Sequence, residues 1–514
     1  MPRVGAKTDG CIVFGVALVA RLAVAAWAAG RFPPAGDGTF FDTLARRIAH
    51  GDGYTWLWPD GTVTNVAHYP VGYPALVALG YVLFGAHAVV AMGVNAVFGA
   101  AMAVAVHRLA SAWTSRVAAL AAALAVALHP ALVPYTAALM SEGVAASLVV
   151  IAFALARLRG RPTASPSAAR LGLHQWVAWA LAGVALGVAT LVRPQCLALA
   201  PFLGAMAPVD AARAVGWAVR ARAAAVVTAV TLACCAPWTA RNCVAMHQCT
   251  LVSANGGWNL AIGAQTANGA WQPIDVPAAC REVWGEAAKD TCFGAAARAT
   301  ILHDPIAWLA RAPAKLAVTF DYFGAAPWYL HLANGEAFGE RAKWCLGALE
   351  TLACRVTLLF ALAVVAREVG PSRRTRLALC LVGAVFACVT YGVVAYLALA
   401  CAILALGPRF LARAPIVLPA TALVLAATAA THAVFFGAGR YGLVVVPFVT
   451  VIAFGLGGKR GKRDKRDKRG EPMPPDAIAS AASSASMASV SVLAAACSWT
   501  SVAAEACRAS ALYW

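Results

Sequence analysis

Charge is scarce in this sequence. Of its 514 residues only 12% are Asp, Glu, Lys or Arg, and 22 of them are acidic, whereas a soluble domain ordinarily carries about 25% charged residues. A Walker phosphate loop, a GxSxG nucleophile elbow and a GxGxxG dinucleotide turn are all missing from it, so soluble-nucleotide chemistry has no support. No CxxC pair or Cys/His spacing suggests a zinc site either. What fills the chain instead is apolar: 61% of residues are hydrophobic and the mean hydropathy is +0.72. Runs of roughly 20 apolar residues match the thickness of a bilayer, beginning with Cys11 to Gly30 and recurring thereafter. The fold class is therefore an all-α polytopic membrane protein. Arg21 interrupts the first run and no small-residue cleavage site follows, so it reads as a retained helix rather than a signal peptide.

The formal net charge of +19 would suggest a nucleic-acid partner in a soluble protein. Here the basic residues cluster in short loops between apolar runs, which is an orientation signal. Loops Arg108 to Arg116, Arg157 to Arg170, Arg213 to Arg222 and Arg367 to Arg376 are expected in the cytoplasm, together with Arg3, Lys7 and the run from Lys459 to Arg469, which is placed to touch anionic lipid. That parity predicts about 12 spans, near 12–29, 88–107, 117–133, 143–157, 174–192, 195–209, 223–237, 347–366, 377–391, 393–406, 414–433 and 441–457, with both termini cytoplasmic in a cell (inner) membrane. A crossing by Val71 to Gly85 would flip every later basic loop. This segment is therefore expected as a juxtamembrane helix, keeping all of 31–87 on the outer face. The membrane domain is placed at 1–457, with a large outer region at 238–346, and 458–514 as a basic, then Ala/Ser-rich tail expected to be disordered or weakly helical. Of the 15 cysteines, Cys243, Cys249, Cys280 and Cys292 fall in the outer region, where disulfides can form. The most local pairing is Cys243 with Cys249 and Cys280 with Cys292.

Within 31–87 lie four aspartates, Asp37, Asp42, Asp52 and Asp60, an unusual density beside a membrane. Asp37 precedes a short amphipathic run (Phe41, Leu44, Ala45, Ile48), where it reads either as a helix cap or as a carboxylate base at a membrane-facing cleft. Glu142 enters the outer end of an apolar run, which is costly for an acid unless it lines a polar cavity or has a partner. Arg193, Arg241 and Arg440-Tyr441 fall at outer helix ends. Each alone reads as an interfacial anchor, but acids and arginines converging on one face suit an anionic lipid head group, because Arg grips phosphate oxygens with two donors. His68 is either a solvated loop residue or a group that orients phosphate or carries a proton. Tyr69 and Tyr73 read as interface aromatics or ligand contacts. The run Asn255-Gly256-Gly257-Trp258-Asn259 reads as a tight turn whose Asn255 and Trp258 would also suit sugar hydroxyls and ring faces.

In this order the pieces resemble the membrane glycosyltransferases of GT-C architecture, which use polyprenyl-phosphate-linked sugars and include protein O-mannosyltransferases and the aminoarabinose lipid A transferase. The resemblance runs over about residues 11 to 457: Asp37 to Phe41, Gly51-Asp52-Gly53-Tyr54, Tyr69-Pro70, Gly72-Tyr73-Pro74, Ser141-Glu142, Arg193-Pro194, Asn255 to Trp258 and Arg440-Tyr441. The run Pro237-Trp238-Thr239-Ala240-Arg241-Asn242 is the most specific piece. The chain departs from the commoner Asp-Glu by Asp37-Gly38, and from Lys-Pro-Pro or His-Pro-Pro by His68-Tyr69-Pro70. The resemblance implies an inverting transfer from a polyprenyl-phosphate sugar to an envelope lipid, glycan or protein. Asp37 would be the base, with Asp42 in reserve, and Arg440, Tyr441, Arg241, Arg193 and His68 would surround the donor phosphate. Glu142, Tyr69, Tyr73, Asn255 and Trp258 would touch substrate. Some relatives use a divalent cation, though no dedicated ligand set is visible here. A transporter or lipid flippase is the alternative, weakened by the lack of internal repeats. A non-catalytic envelope scaffold is the third reading.

Overall fold

Apolar segments in a bilayer must satisfy every backbone amide internally, so they form helices. The computed structural model describes residues 2–157, 173–207, 215–321, 324–369, 392–411 and 414–457. Among these, six helices are long and apolar enough to cross a membrane: Thr8–Ala28, Ala88–Ser111, Leu173–Val192, Trp217–Ala245, Glu340–Arg367 and Val417–Val434. Gly72–Phe84, Arg116–Ala127, Glu142–Leu155, Pro194–Met206 and Gly392–Ala405 are apolar but shorter. The expectation of about 12 spans thus becomes six full-length candidates with short apolar helices among them. The expected span 377–391 and the tail 458–514 lie outside the described residues.

Several boundaries moved for identifiable reasons. The span expected at 441–457 is a 3-10 turn, Gly439–Val444, followed by an eight-residue helix, Val446–Ala453. The span expected at 195–209 begins as a 3-10 turn, Pro194–Leu199, and continues as Ala200–Met206. The helix expected to end at Pro237 runs from Trp217 to Ala245 with the proline inside it, because neighbouring groups can satisfy the backbone that a proline frees in a membrane helix. Trp238 to Asn242 therefore extend that helix instead of opening the outer region. The all-α expectation needs one addition, an antiparallel hairpin of Thr55–Leu57 with Val63–Asn65.

Gly72–Phe84 has 13 residues and spans about 20 Å, short of a ~30 Å hydrocarbon core. One face is buried through Tyr73, Val77 and Tyr81, while Leu79, Val82, Leu83 and Phe84 are exposed. The bundle core is built largely of alanine with interleaved Val, Leu and Phe, which lets helix backbones approach closely. Two buried cations close helices that end inside it. Arg21 donates to the Ala127 and Val126 carbonyls at 2.8 and 3.4 Å, at the end of Arg116–Ala127. Lys315 donates to the Ala433 and Val434 carbonyls, both at 3.1 Å, at the end of Val417–Val434. Terminal carbonyls carry the negative end of the helix dipole, so cations belong there. Within 238–346, Gly256–Gln265 packs on Glu286–His303 through Ala261, Ala264, Phe293 and Ala297. Disulfides join Cys243 to Cys249 and Cys280 to Cys292, the most local pairing.

Candidate active site

Asp37 is the first residue of the helix Asp37–His50, and Gly36 takes the cap position. The carboxylate does not cap. Instead its Oδ1 accepts from the Tyr69 hydroxyl at 3.3 Å and its Oδ2 from Arg440 Nη2 at 2.8 Å. The departure from Asp-Glu has a steric cause: a Cβ on Gly38 would lie 2.7 Å from the Tyr329 hydroxyl and 3.0 Å from the Leu139 carbonyl. The same hydroxyl accepts from the Ala35 amide at 3.3 Å, which fixes the chain just ahead of Asp37.

Arg440, on the Gly439–Val444 turn, is the hub. Its Nε lies 3.0 Å from Glu142 Oε1, so one guanidinium joins Asp37 to Glu142. Arg193 Nη1 approaches that same Glu142 oxygen at 2.6 Å, and Tyr135 donates to the other at 3.0 Å. Glu142 is 5% exposed; an acid so deeply buried requires these partners. Neither Arg193 Nη1 nor Arg440 Nε completes a well-aligned hydrogen bond. Both donors can therefore turn to a better-placed acceptor. Tyr441 lies under both arginines, 4.8 Å from the Arg193 and 5.3 Å from the Arg440 guanidinium carbon, and stacks on His432 at 4.3 Å. Burial would lower the Arg440 pKa, but Tyr441, Asp37 and Glu142 outweigh it and hold it well above the usual guanidinium value. Burial raises the Tyr135 phenol, with Glu142 adding to the rise, so it stays a donor.

Beyond this cluster the walls turn apolar. A groove with Glu142, Arg193, Arg440 and Tyr441 at its polar part continues along Ala145, Val149, Leu199, Val424, Ala427 and Val444. It has the composition for an ionic head and a hydrocarbon tail.

The remaining expected residues are distributed more widely. Asp42 is buried, accepting from Arg46 at 2.7 Å and from the Tyr81 hydroxyl, and among the described residues no hydrogen bond or ion pair joins it to Arg440. Tyr73 is buried with its ring 5.3 Å from that of Phe41. Arg241, expected at the phosphate, is occupied elsewhere: it donates to the Val66 and Tyr54 carbonyls, both at 2.8 Å, and stacks 4.9 Å over Trp238. The most specific motif of the sequence thus ties a long helix to the 31–87 segment. His68 stands between the two sides, its ring 5.0 Å from Tyr69 and 6.3 Å from Trp258. Burial holds its pKa below the ordinary imidazole value, against the pull of Asp290 and Asp37, so it is neutral at neutral pH. Trp258 packs 4.7 Å from Phe293 and its amide donates to Asp290; Asn255 accepts from Ser253.

Tyr135, His432 and Glu286 carry no local signal that marks them for a site. The first two sit among apolar residues and read as packing. Glu286 accepts from the Ala67 amide across 219 residues, which no local pattern reports; burial raises its pKa. Among the described residues no three His, Cys, Asp or Glu side chains gather where they could hold a metal ion. A divalent cation between Asp37 and Glu142 would have to displace guanidinium groups.

No protein-family model matches the chain, and no curated protein matches it. Among solved structures it is similar to the archaeal oligosaccharyltransferase AglB from Archaeoglobus fulgidus in complex with an inhibitory peptide and a dolichol-phosphate, at 16% identity and a TM-score of 0.42, covering 91% of this chain and 53% of that one. The chain thus spans about half the length of that oligosaccharyltransferase. It is also similar to that enzyme in complex with Zn and sulfate (16% identity, TM-score 0.35, 88% and 49% covered). A third similarity is to ArnT from Cupriavidus metallidurans bound to undecaprenyl phosphate (15% identity, TM-score 0.36, 91% and 81% covered).

Proposed function

We propose that this chain is a membrane glycosyltransferase of the GT-C kind that moves a sugar from a polyprenyl-phosphate donor to an envelope acceptor on the outer face, with inversion at the anomeric carbon. The observation that carries the reading is Arg440, which pairs at once with Asp37 and Glu142 at the polar part of an apolar groove. Such a groove takes an isoprenoid chain along its apolar wall and a phosphate at its arginines.

Arg440 is ion-paired with Asp37 at 2.8 Å. An incoming donor phosphate competes for the guanidinium, and the donors on Arg193 and Arg440 that lack a well-aligned acceptor turn to its oxygens. Asp37 then loses its cation, and a carboxylate without a counter-charge is the stronger base. The acceptor O–H or N–H attacks the anomeric carbon, its proton passes to Asp37, and the bond from that carbon to the phosphate oxygen breaks. Arg193 and Arg440 receive the charge that develops on the leaving phosphate, where preorganised cations lower a barrier most. Glu142 keeps both arginines in place, and Tyr69 orients Asp37.

The test uses the full chain in proteoliposomes with a polyprenyl-phosphate-linked sugar and an envelope extract as acceptor. Free polyprenyl phosphate should accumulate as a sugar mass appears on an envelope lipid, glycan or protein. Donor carried across the membrane intact, with no phosphate released, would instead mark a flippase.

A further inference from the structure

A second polar cavity lies on the other side of the Gly439–Val444 turn. Arg440, Tyr441 and Val444 face the apolar groove, whereas Gly439, Gly442 and Leu443 line this cavity together with Thr319, Glu350, Thr351, Arg355 and Tyr396. Its room of about 60 Å³ exceeds the roughly 10–15 Å³ that one water needs.

Its polar side chains are held but not satisfied. Glu350 is 3% exposed; its Oε2 accepts from the Ala325 amide at 2.9 Å, while Oε1 has no partner among the described residues. Arg355 Nη2 donates to Asp321 Oδ1 at 2.7 Å, and Asp321 also accepts from the Val393 amide. Arg355 Nη1 and Thr351 Oγ1 likewise lack partners among the described residues. Space is reserved for this guanidinium: a Cβ on Gly392 would coincide with it. Buried polar atoms without partners are expensive, and several around one cavity indicate that something normally completes them.

The donor set selects the ligand. An anion would meet Glu350, with Asp321 behind Arg355. A cation would meet the free guanidinium nitrogen. A hydroxyl both donates and accepts, so adjacent hydroxyls could donate to Glu350 and accept from Arg355, with Thr351 serving either way and Tyr396 supplying an aromatic wall. We propose that this cavity binds the vicinal hydroxyls of a neutral sugar or polyol group, either as a soluble molecule or as the glycerol end of a lipid head group.

The test reads binding, not transfer, so it stands or falls apart from the catalytic reading. Full-length chain in phosphatidylcholine nanodiscs is titrated with glycerol, myo-inositol and methyl α-D-glucopyranoside by saturation-transfer NMR. Saturable binding of at least one probe is expected. Thr351→Val, which removes one hydroxyl and keeps the shape, should weaken it about threefold to tenfold, the loss of one hydrogen bond. Cys354→Leu, which fills the cavity, should abolish it, and Thr428→Val in the apolar groove should leave it unchanged. If the source is a lipid head group, discs containing phosphatidylglycerol suppress the soluble probes, and native mass spectrometry retains that lipid on wild type more than on Thr351→Val. Binding of no probe in either disc, or binding indifferent to Thr351→Val and Cys354→Leu, overturns the proposal and leaves the cavity to ordered water.

Discussion

Two acid–arginine clusters flank one short turn and are balanced differently. On one side Asp37 and Glu142 face Arg193 and Arg440, two negative charges against two positive. On the other side Asp321 alone pairs with the single cation Arg355, while Glu350 accepts from the Ala325 amide beside it. The first cluster opens on an apolar groove and can exchange a carboxylate for a phosphate without leaving its arginines unpaired. The second has the wrong balance for an anion and the wrong nearest donor for a cation. On the reading proposed above, the same residue types make an ionic switch in one place and a site for neutral hydroxyls in the other, separated by the count of arginines.

That contrast breaks most visibly at the two glutamates. Glu142→Gln leaves two buried guanidinium groups with one carboxylate fewer and should cost about 3–5 kcal/mol, read as thermal unfolding in nanodiscs. Glu350→Gln leaves Arg355 with Asp321 and should cost no more than about 1–2 kcal/mol. Equal losses would erase the distinction. Arg440→Lys keeps a charge but cannot hold two carboxylates with a planar fork; kcat/KM for transfer should fall about 100-fold. Arg241→Gln removes charge-assisted bonds to two carbonyls and should cost about 1.5–3 kcal/mol of stability while the KM for donor stays put. A raised KM would return Arg241 to the phosphate.

The smallest effect is a pH dependence. Burial lowers the folded-state pKa of His68, so the unfolded chain, with an imidazole near 6.5, takes up the proton first. Stability is then complete above about pH 6.5 and declines as pH falls from there toward the folded value. His68→Gln should flatten that decline in melting curves taken across the range.

Asp37, Glu142, Arg193 and Arg440 are legible within a wider expected group that also held Arg241 and His68, because counting basic loops puts these helix ends on one expected face and a buried acid demands a cation. Distance was not legible. Nothing local says that Arg440 spans 403 residues to Asp37, or that Arg241 closes on the carbonyls of Tyr54 and Val66. The second cluster was invisible because Glu350 and Arg355 sit within a long apolar helix and Asp321 joins Arg355 only in the fold. Helix ends were least legible where proline intervened: Pro237 reads as a stop, yet lies inside Trp217–Ala245.

The central claim is that Asp37, released from Arg440 by donor phosphate, takes the acceptor's proton. Single-turnover transfer in proteoliposomes tests it directly, comparing wild type with Asp37→Asn at matched protein and saturating donor. A fall of about 10²- to 10⁴-fold with donor binding retained is the predicted result; an undiminished rate would contradict it.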